Sequence, residues 1–324
     1  MSTVRERPIL FRVEKEGRLL FKKYHTVINV YDDGISINKG DELFIPLKSM
    51  NPFINDNIIG EYKEKNRIIQ IPHLDSDGTY QESHLYESNY PGICAKMEQV
   101  LLKEWAGLRT RYPETVRWFI GCSAIYEISA NNNPFVYGFP FDEKFYENAA
   151  RENHELWTVS FQEALAKYWD IFDRDSLLKT FDWLYDGRSV TQFNEKYERL
   201  DKSRMIKWEI KLADDIHARG EKSIWAWDLQ RMILLCSTGY VCGYLGYEES
   251  LDIALKAAEK LQGIYDSWDD FAESYLLGFG YWKNQHPEQT YTEAHERKVR
   301  YEAMKQHELN PWTIPWKHSL KKEW

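Results

Sequence analysis

The spacing of apolar residues changes once along this chain, near residue 108, and that change dictates a two-part fold. Upstream of it, apolar residues alternate with polar ones in short runs broken by turn residues. Thr26-Val27-Ile28-Asn29-Val30-Tyr31 passes through Asp32-Asp33-Gly34 into Ile35-Ser36-Ile37, a β-branched run, an Asp-Gly turn and a second alternating run, which specify a hairpin. A second turn at Lys39-Gly40-Asp41 leads to Leu43-Phe44-Ile45-Pro46-Leu47. Residues 58–71 read as a further hairpin around Glu64-Lys65-Asn66, and residues 79–87 as another strand. After Pro91, the residues Ile93, Met97, Val100, Leu101 and Trp105 fall on one helical stripe, with Gly107 as its stop. The first domain, 1–108, is therefore expected to be an antiparallel β meander with one C-terminal helix.

Downstream, the period is helical and several segments carry start signals. Ser160-Phe161-Gln162-Glu163 has the form of a capping box that opens a helix presenting Ala164, Leu165, Tyr168 and Trp169. Asp173 or Asp175 caps a helix with Leu177, Leu178, Phe181 and Leu184, which Gly187 ends. Met205 to Ala218 repeats the form, with Ile206, Ile210, Ala213 and His217 in line and Arg219-Gly220 as the stop. The expected class is α+β with two domains, the second a helical bundle over 112–324 that ends in a Pro/Trp tail, 308–324. A short joint near 107–115 separates them.

Residues 222–283 carry the most information. On a helix, Ile224, Trp227, Asp228, Arg231, Leu234 and Leu235 share one face, and Trp225, Leu229, Met232 and Cys236 occupy the other. A helix apolar all round is central. Asp228 and Arg231, three residues apart on such a stripe, are expected to meet inside the protein as a hydrogen-bonded ion pair, because an unpaired buried charge is expensive. Glu248-Glu249 and Ser267-Trp268-Asp269-Asp270 then mark two further helix starts, where carboxylates favour the positive end of the dipole. As acid/base or metal ligands those four carboxylates are outweighed by this structural use. Trp268, Phe271, Ala272, Tyr275, Phe279 and Trp282 recur at helical spacing behind them.

The run W-A-W-D-x-x-R, then G-Y-x-x-G-Y-x-x-x-E-E, then S-W-D-D-F-x-x-S-Y-L-x-G-x-x-x-W resembles the bacterial proteins grouped as domain of unknown function 1266. The matching positions include Trp227, Asp228, Arg231, Gly239, Tyr240, Gly243, Glu248, Glu249, Ser267, Trp268, Phe271, Tyr275, Gly278 and Trp282. The upstream stretch of Trp183, Leu184 and Gly187 extends the resemblance to about 115–283. One departure is Phe279-Gly280, where the resemblance implies an arginine beside the glycine. The first domain resembles, in architecture, bacterial pleckstrin-homology-like domains, which implies binding of lipid head groups, peptides or neighbouring domains. Lys22-Lys23 with Lys63, Lys65 and Arg67 offer a basic rim that Glu61 and Glu64 dilute.

Composition mainly excludes. With 42 Lys+Arg against 51 Asp+Glu, a net charge of −9, no global cationic field serves a nucleic acid. No apolar window approaches the roughly 20 residues of a membrane helix, no secretion signal is visible, and four cysteines without a CxxC pair point to a reducing cytoplasm. Nine histidines form no HExxH pair, and no G-x-S-x-G, Walker or GxGxxG motif appears, so no metal, cofactor or common catalytic class is expected. The candidate polar site comprises Asp228, Arg231, Ser267, Trp268 and Tyr275. Of the 13 Trp, most read as core; Trp312 and Trp316 on the tail either fold back on the body or dock on a protein partner. The first functional expectation is a non-catalytic cytoplasmic interaction module, an accessory or immunity component of a toxin or secretion locus. The alternatives are an enzyme with an anion pocket at Asp228 and Arg231, and a lipid-surface adaptor acting through the first domain.

Overall fold

A computed structural model of the chain describes residues 8–19, 22–39, 42–46, 53–55, 68–74, 80–108, 110–130, 134–138, 150–307 and 309–324. The fold is α+β. Two compact units divide it, one of residues 1–108 with 131–133, the other of 109–130 with 134–324.

The first unit opens with strands β1 (Phe11–Leu19), β2 (Lys22–Val30), β3 (Gly34–Asn38) and β4 (Glu42–Pro46), antiparallel neighbours in that order. The Asp-Gly hairpin forms as its residues dictate. Val30 faces Ile35 across the ladder, and the Tyr31 N–H donates to Gly34 O at 2.8 Å. A second antiparallel sheet holds β5 (Phe53–Asn55), β6 (Ile68–Leu74) and β7 (Tyr80–Tyr86), and helix α1 (Ile93–Leu108) follows. Ile28, Val30, Ile35, Ile37 and Ile45 pack with Leu85, Ile93, Cys94, Met97 and Val100 as one core.

One expectation changes here, and two features had no local signal. Strand β1 carries too many charges to announce itself, because it is a sheet edge whose outward side chains stay in water. Helix α1 continues through Gly107 to Leu108. Its start is capped from outside by Glu87, whose carboxylate accepts the N–H groups of Gly92 and Cys94. The turn at 64–66, the Trp105 side chain and the rim residues Lys63, Lys65 and Arg67 lie outside the described residues.

The second unit is helical, with α2 (Glu114–Ser129), α3 (Ala150–Trp169), α4 (Arg174–Tyr185), α5 (Arg188–Tyr197), α6 (Lys207–Ala218), α7 (Trp225–Val241), α8 (Tyr247–Ile264), α9 (Trp268–Lys283) and α10 (Glu293–Gln306). Helix α7 is central as expected, packed by α2, α3, α4, α5, α8 and α9. Asp173 caps α4, its Oδ1 accepting the Ser176 N–H at 2.8 Å. Ser160 is not the N-cap position of a helix. It lies in the middle of α3, since no Gly or Pro stands between residues 148 and 169 to stop the helix that begins upstream. The Met205–Ala218 helix starts later than its pattern suggested. Ile206 is the N-cap of α6 and is exposed, after a 3₁₀ turn at Lys202–Arg204 capped by Asp201.

Close approach of α7 and α9 rests on Gly278, where an added Cβ would stand 2.3 Å from Trp227 Cβ. Gly278→Ala is expected to lower stability by about 1–3 kcal/mol in urea unfolding, because overpacking outweighs the better helix propensity of alanine. A neutral or stabilising result would show that the two helices separate freely.

The tail folds back. Trp312 and Trp316, 7% and 5% exposed, are core residues, so of the two courses expected for the tail the structure takes the one that folds back on the body. Their indole N–H groups donate to Gly121 O at 2.9 Å and Tyr265 O at 2.7 Å. Trp118 in turn donates to Trp316 O at 3.2 Å, and Trp268 donates to Ile314 O at 2.8 Å. An extended tail has unpaired carbonyls and bulky indoles, and α2, α8 and α9 supply partners for both.

Candidate functional site: an arginine cavity in the helical unit

The site begins with a turn. Gly187 adopts φ +68°, a left-handed conformation that glycine takes without a Cβ clash, and so joins α4 to α5 with no intervening loop. Ser189 then stands in the first turn of α5 with its amide unsatisfied by the helix. Asp228, from the first turn of α7, fills that role from across the core. Its carboxylate accepts the Ser189 N–H at 2.9 Å and the Ser189 hydroxyl at 2.6 Å, and no part of it is exposed.

Arg231, one turn along α7, closes the network. Nη2 donates to Asp228 Oδ1 at 2.5 Å and to Ser189 Oγ at 3.2 Å, while Nε donates to the Trp227 carbonyl at 2.9 Å. The guanidinium also lies among three indoles, with Cζ 4.3 Å from the Trp227 ring centre, 5.4 Å from Trp169 and 5.9 Å from Trp183. Burial raises the Asp228 carboxyl above its ordinary pKa, against the opposing pull of Arg231 and Ser189. Burial likewise lowers that of Arg231. Each charge is thus held in place by the other. With both oxygens bonded and none of its surface exposed, Asp228 is a counter-charge and a helix anchor that a ligand does not reach.

Arg231, Trp227, Trp169 and Trp183 form one side of a cavity of about 780 Å³. Tyr126 of α2, Phe279 and Trp282 of α9 and Arg297 of α10 line it too, with Lys179 and Asp170. The rings form a continuous wall. Trp227 packs against Tyr275 at 5.7 Å, Phe279 at 5.9 Å and Trp282 at 5.9 Å between centroids. Arg297 donates to the Tyr275 hydroxyl and sits 3.8 Å above the Phe279 ring. At the position where an arginine is expected from the family resemblance, the chain therefore has a phenylalanine with a guanidinium from α10 resting on it. Burial lifts the Tyr126 phenol to about 12 and raises that of Tyr275, so both hydroxyls are neutral.

Residues 164–316 match the family model described as "Protein of unknown function (DUF1266)". Over this stretch, a little under half of its length, the chain resembles that family. It is similar to "Uncharacterized protein YbeR" of Escherichia coli (strain K12), 29% identical over 134 residues that cover 37% of the chain and 57% of the relative. It also resembles "Uncharacterized protein YbeU" of the same strain, at 26% over 149 residues, 42% of the chain and 63% of the relative. The chain spans about three fifths of the length of these relatives. No solved structure matches.

The DUF1266 segment starts later and ends later than the motif resemblance, at 164 and 316 in place of about 115 and 283. It thereby includes α10 with Arg297 and the tail as far as Trp316. Of the residues expected at a polar site, Asp228, Arg231 and Tyr275 come together as described. Ser267 and Trp268 go elsewhere. Ser267 Oγ caps α9 by accepting the Asp270 N–H at 3.1 Å, and Trp268 packs 5.1 Å from Trp118 and 4.8 Å from Trp316.

Three of the four first-turn carboxylates are engaged in ties as well. Glu249 bonds Arg174, Asp269 bonds Lys305 and Tyr301, Asp270 bonds Arg219 and Lys222, and Glu248 stays exposed. All four cysteines are buried thiols outside any disulfide. Burial raises the Cys122 and Cys236 thiols and lifts Cys242 to about 12, so none of those three is a thiolate nucleophile. Arg297, Lys179 and Ser189 went unnoticed in the sequence. Arg297 lies on a helix whose charged residues read as a solvated face, and no local pattern sets it apart.

Proposed function

We propose that the helical unit is a binding module for a small organic anion, held in the arginine cavity. The observation that carries this is a pair of guanidinium groups, Arg231 and Arg297, on the aromatic lining of a single 780 Å³ cavity. Such a volume lies within the roughly 300–1,000 Å³ of small-molecule sites. Arg231 Nε and Nη2 are spent on protein acceptors, and Nη1 has no partner among the described residues. Asp228 and Ser189 hold the guanidinium still, so its ordering does not have to be supplied when a ligand binds. The reading is one of recognition, and Asp228 takes no proton in it.

A pleckstrin-homology-like reading of the first unit is supported by its four-stranded and three-stranded antiparallel sheets followed by one helix. A cytoplasmic setting accords with four buried cysteine thiols that form no disulfide. Among the described residues no helix is long and apolar enough to cross a membrane.

Calorimetric titration of the full chain with citrate, ribose 5-phosphate, adenosine 5′-monophosphate and indole-3-acetate tests the anion site. At least one is expected to bind, and Arg297→Gln, outside the buried ion pair, is expected to weaken it by about tenfold or more, the value of one charge-assisted hydrogen bond. Unchanged affinity in a folded Arg297→Gln protein overturns the assignment.

A further inference from the structure

We infer that the ligand of this cavity is a flat aromatic or heteroaromatic ring carrying one anionic group. The inference rests on the reading of the cavity as an anion site and adds the ring. Charge sets the first half. Arg231, Arg297 and Lys179 face one lining carboxylate, Asp170, and Asp228 neutralises Arg231 from behind. Three cations less two carboxylates leave one positive charge to be met by the ligand. Lys283, its Nζ 4.8 Å from the Trp282 ring centre, adds nothing to that balance, because Glu293 pairs with it at 3.0 Å.

Exposed rings set the second half. Trp282 and Tyr168 line the cavity and are 62% and 71% exposed, whereas Phe172, Tyr185 and Tyr291, exposed too, stand outside its lining. Large apolar side chains left in water around a concave site mark ligand surface. Trp282 is also held in place, tilted only 28° from Trp227 and 5.8 Å from Phe279. A fixed, wet indole is a stacking platform, and a planar ring covers it at little entropic cost.

A planar anion satisfies both features at once, with its ring on the indole wall and its anionic group on a guanidinium. An aliphatic anion leaves the platform wet, and a neutral ring leaves the charge unmet. A cationic ligand is disfavoured because Arg231 already occupies the centre of the indole cluster. Phosphate and carboxylate share the required chemistry, and the choice of probes separates them.

The test titrates the full chain with three kinds of probe. Adenosine 5′-monophosphate and indole-3-acetate are ring anions, ribose 5-phosphate and acetate are ring-free anions, and adenosine and indole are neutral rings. At least one ring anion is expected to bind about tenfold or more tightly than both of its controls, and the stronger of the two tells phosphate from carboxylate. Trp282→Ala removes an exposed side chain, with the fold checked by circular dichroism. It is expected to erase that preference and leave the ring-free anions unchanged. A ring-free anion that binds as tightly as its ring counterpart overturns the ring and leaves the anion site standing. A neutral ring that binds as tightly removes the anion site as well. If neither ring anion binds at about 1 mM, the inference fails.

Discussion

Asp228→Ala is expected to lower the unfolding free energy of the helical unit by about 3–5 kcal/mol, the cost typical of breaking a buried ion pair from one side. The substitution strands the Arg231 guanidinium, whose side chain is 14% exposed, and leaves the Ser189 amide and hydroxyl without their acceptor. Urea unfolding followed by circular dichroism reads the loss as a fall in midpoint at unchanged slope. Removing both charges is gentler. In Asp228→Ala with Arg231→Met, no stranded cation remains and an apolar chain fills the indole cluster, so the double variant is expected to be more stable than Asp228→Ala alone. A loss below about 1 kcal/mol, the range of exposed pairs, would mean that the pair is solvated and does not anchor α5.

Trp316→Ala is expected to cost a similar amount, about 3–5 kcal/mol, for a different reason. The indole lies 4.8 Å from Trp268, 4.9 Å from Trp118 and 5.5 Å from Phe271 between ring centres, and its N–H satisfies the Tyr265 carbonyl. Truncation opens a cavity at the junction of α2, α8, α9 and the tail and leaves that carbonyl only the Lys317 ammonium as a donor. Thermal unfolding reads the effect as a drop in Tm. Proteolysis distinguishes it from the loss of Asp228: the tail is expected to become cleavable in Trp316→Ala while the bundle is still folded, because local opening of the strap needs less than global unfolding. A tail that stays resistant, with Tm unchanged, would show that Trp316 is only loosely seated.

Signals that act over a few residues were legible without a structure. The Asp-Gly hairpin at 31–34, the caps at Asp173 and Ser267 and the stripe of α7 each follow from contacts within one or two turns. Misread elements share an opposite cause. Ser160 had a capping pattern, but a helix stops only where something upstream fails to be helical, and nothing did. Strand β1 had no clear alternation, since its pairing is with β2 and its outer edge is wet.

At the site, local pattern identified Asp228 and Arg231 as a buried pair and went no further. That two opposite charges three residues apart on an apolar helix must meet is a matter of desolvation, which one helix decides alone. Which residues gather around them is decided by packing. Ser189 reaches Asp228 because Gly187 turns the chain left-handed, Trp169 and Trp183 arrive on α3 and α4, and Arg297 arrives on α10, 66 positions downstream of Arg231. Ser267 and Trp268, adjacent to Asp270 in the same cap, were drawn by the tail to a different cluster. Thus the periodicities, caps and buried ion pair of this protein are properties of its sequence. The cavity is a property of how α2, α3, α4, α7, α9 and α10 converge, because side-chain proximity across helices depends on crossing geometry that short-range spacing does not encode.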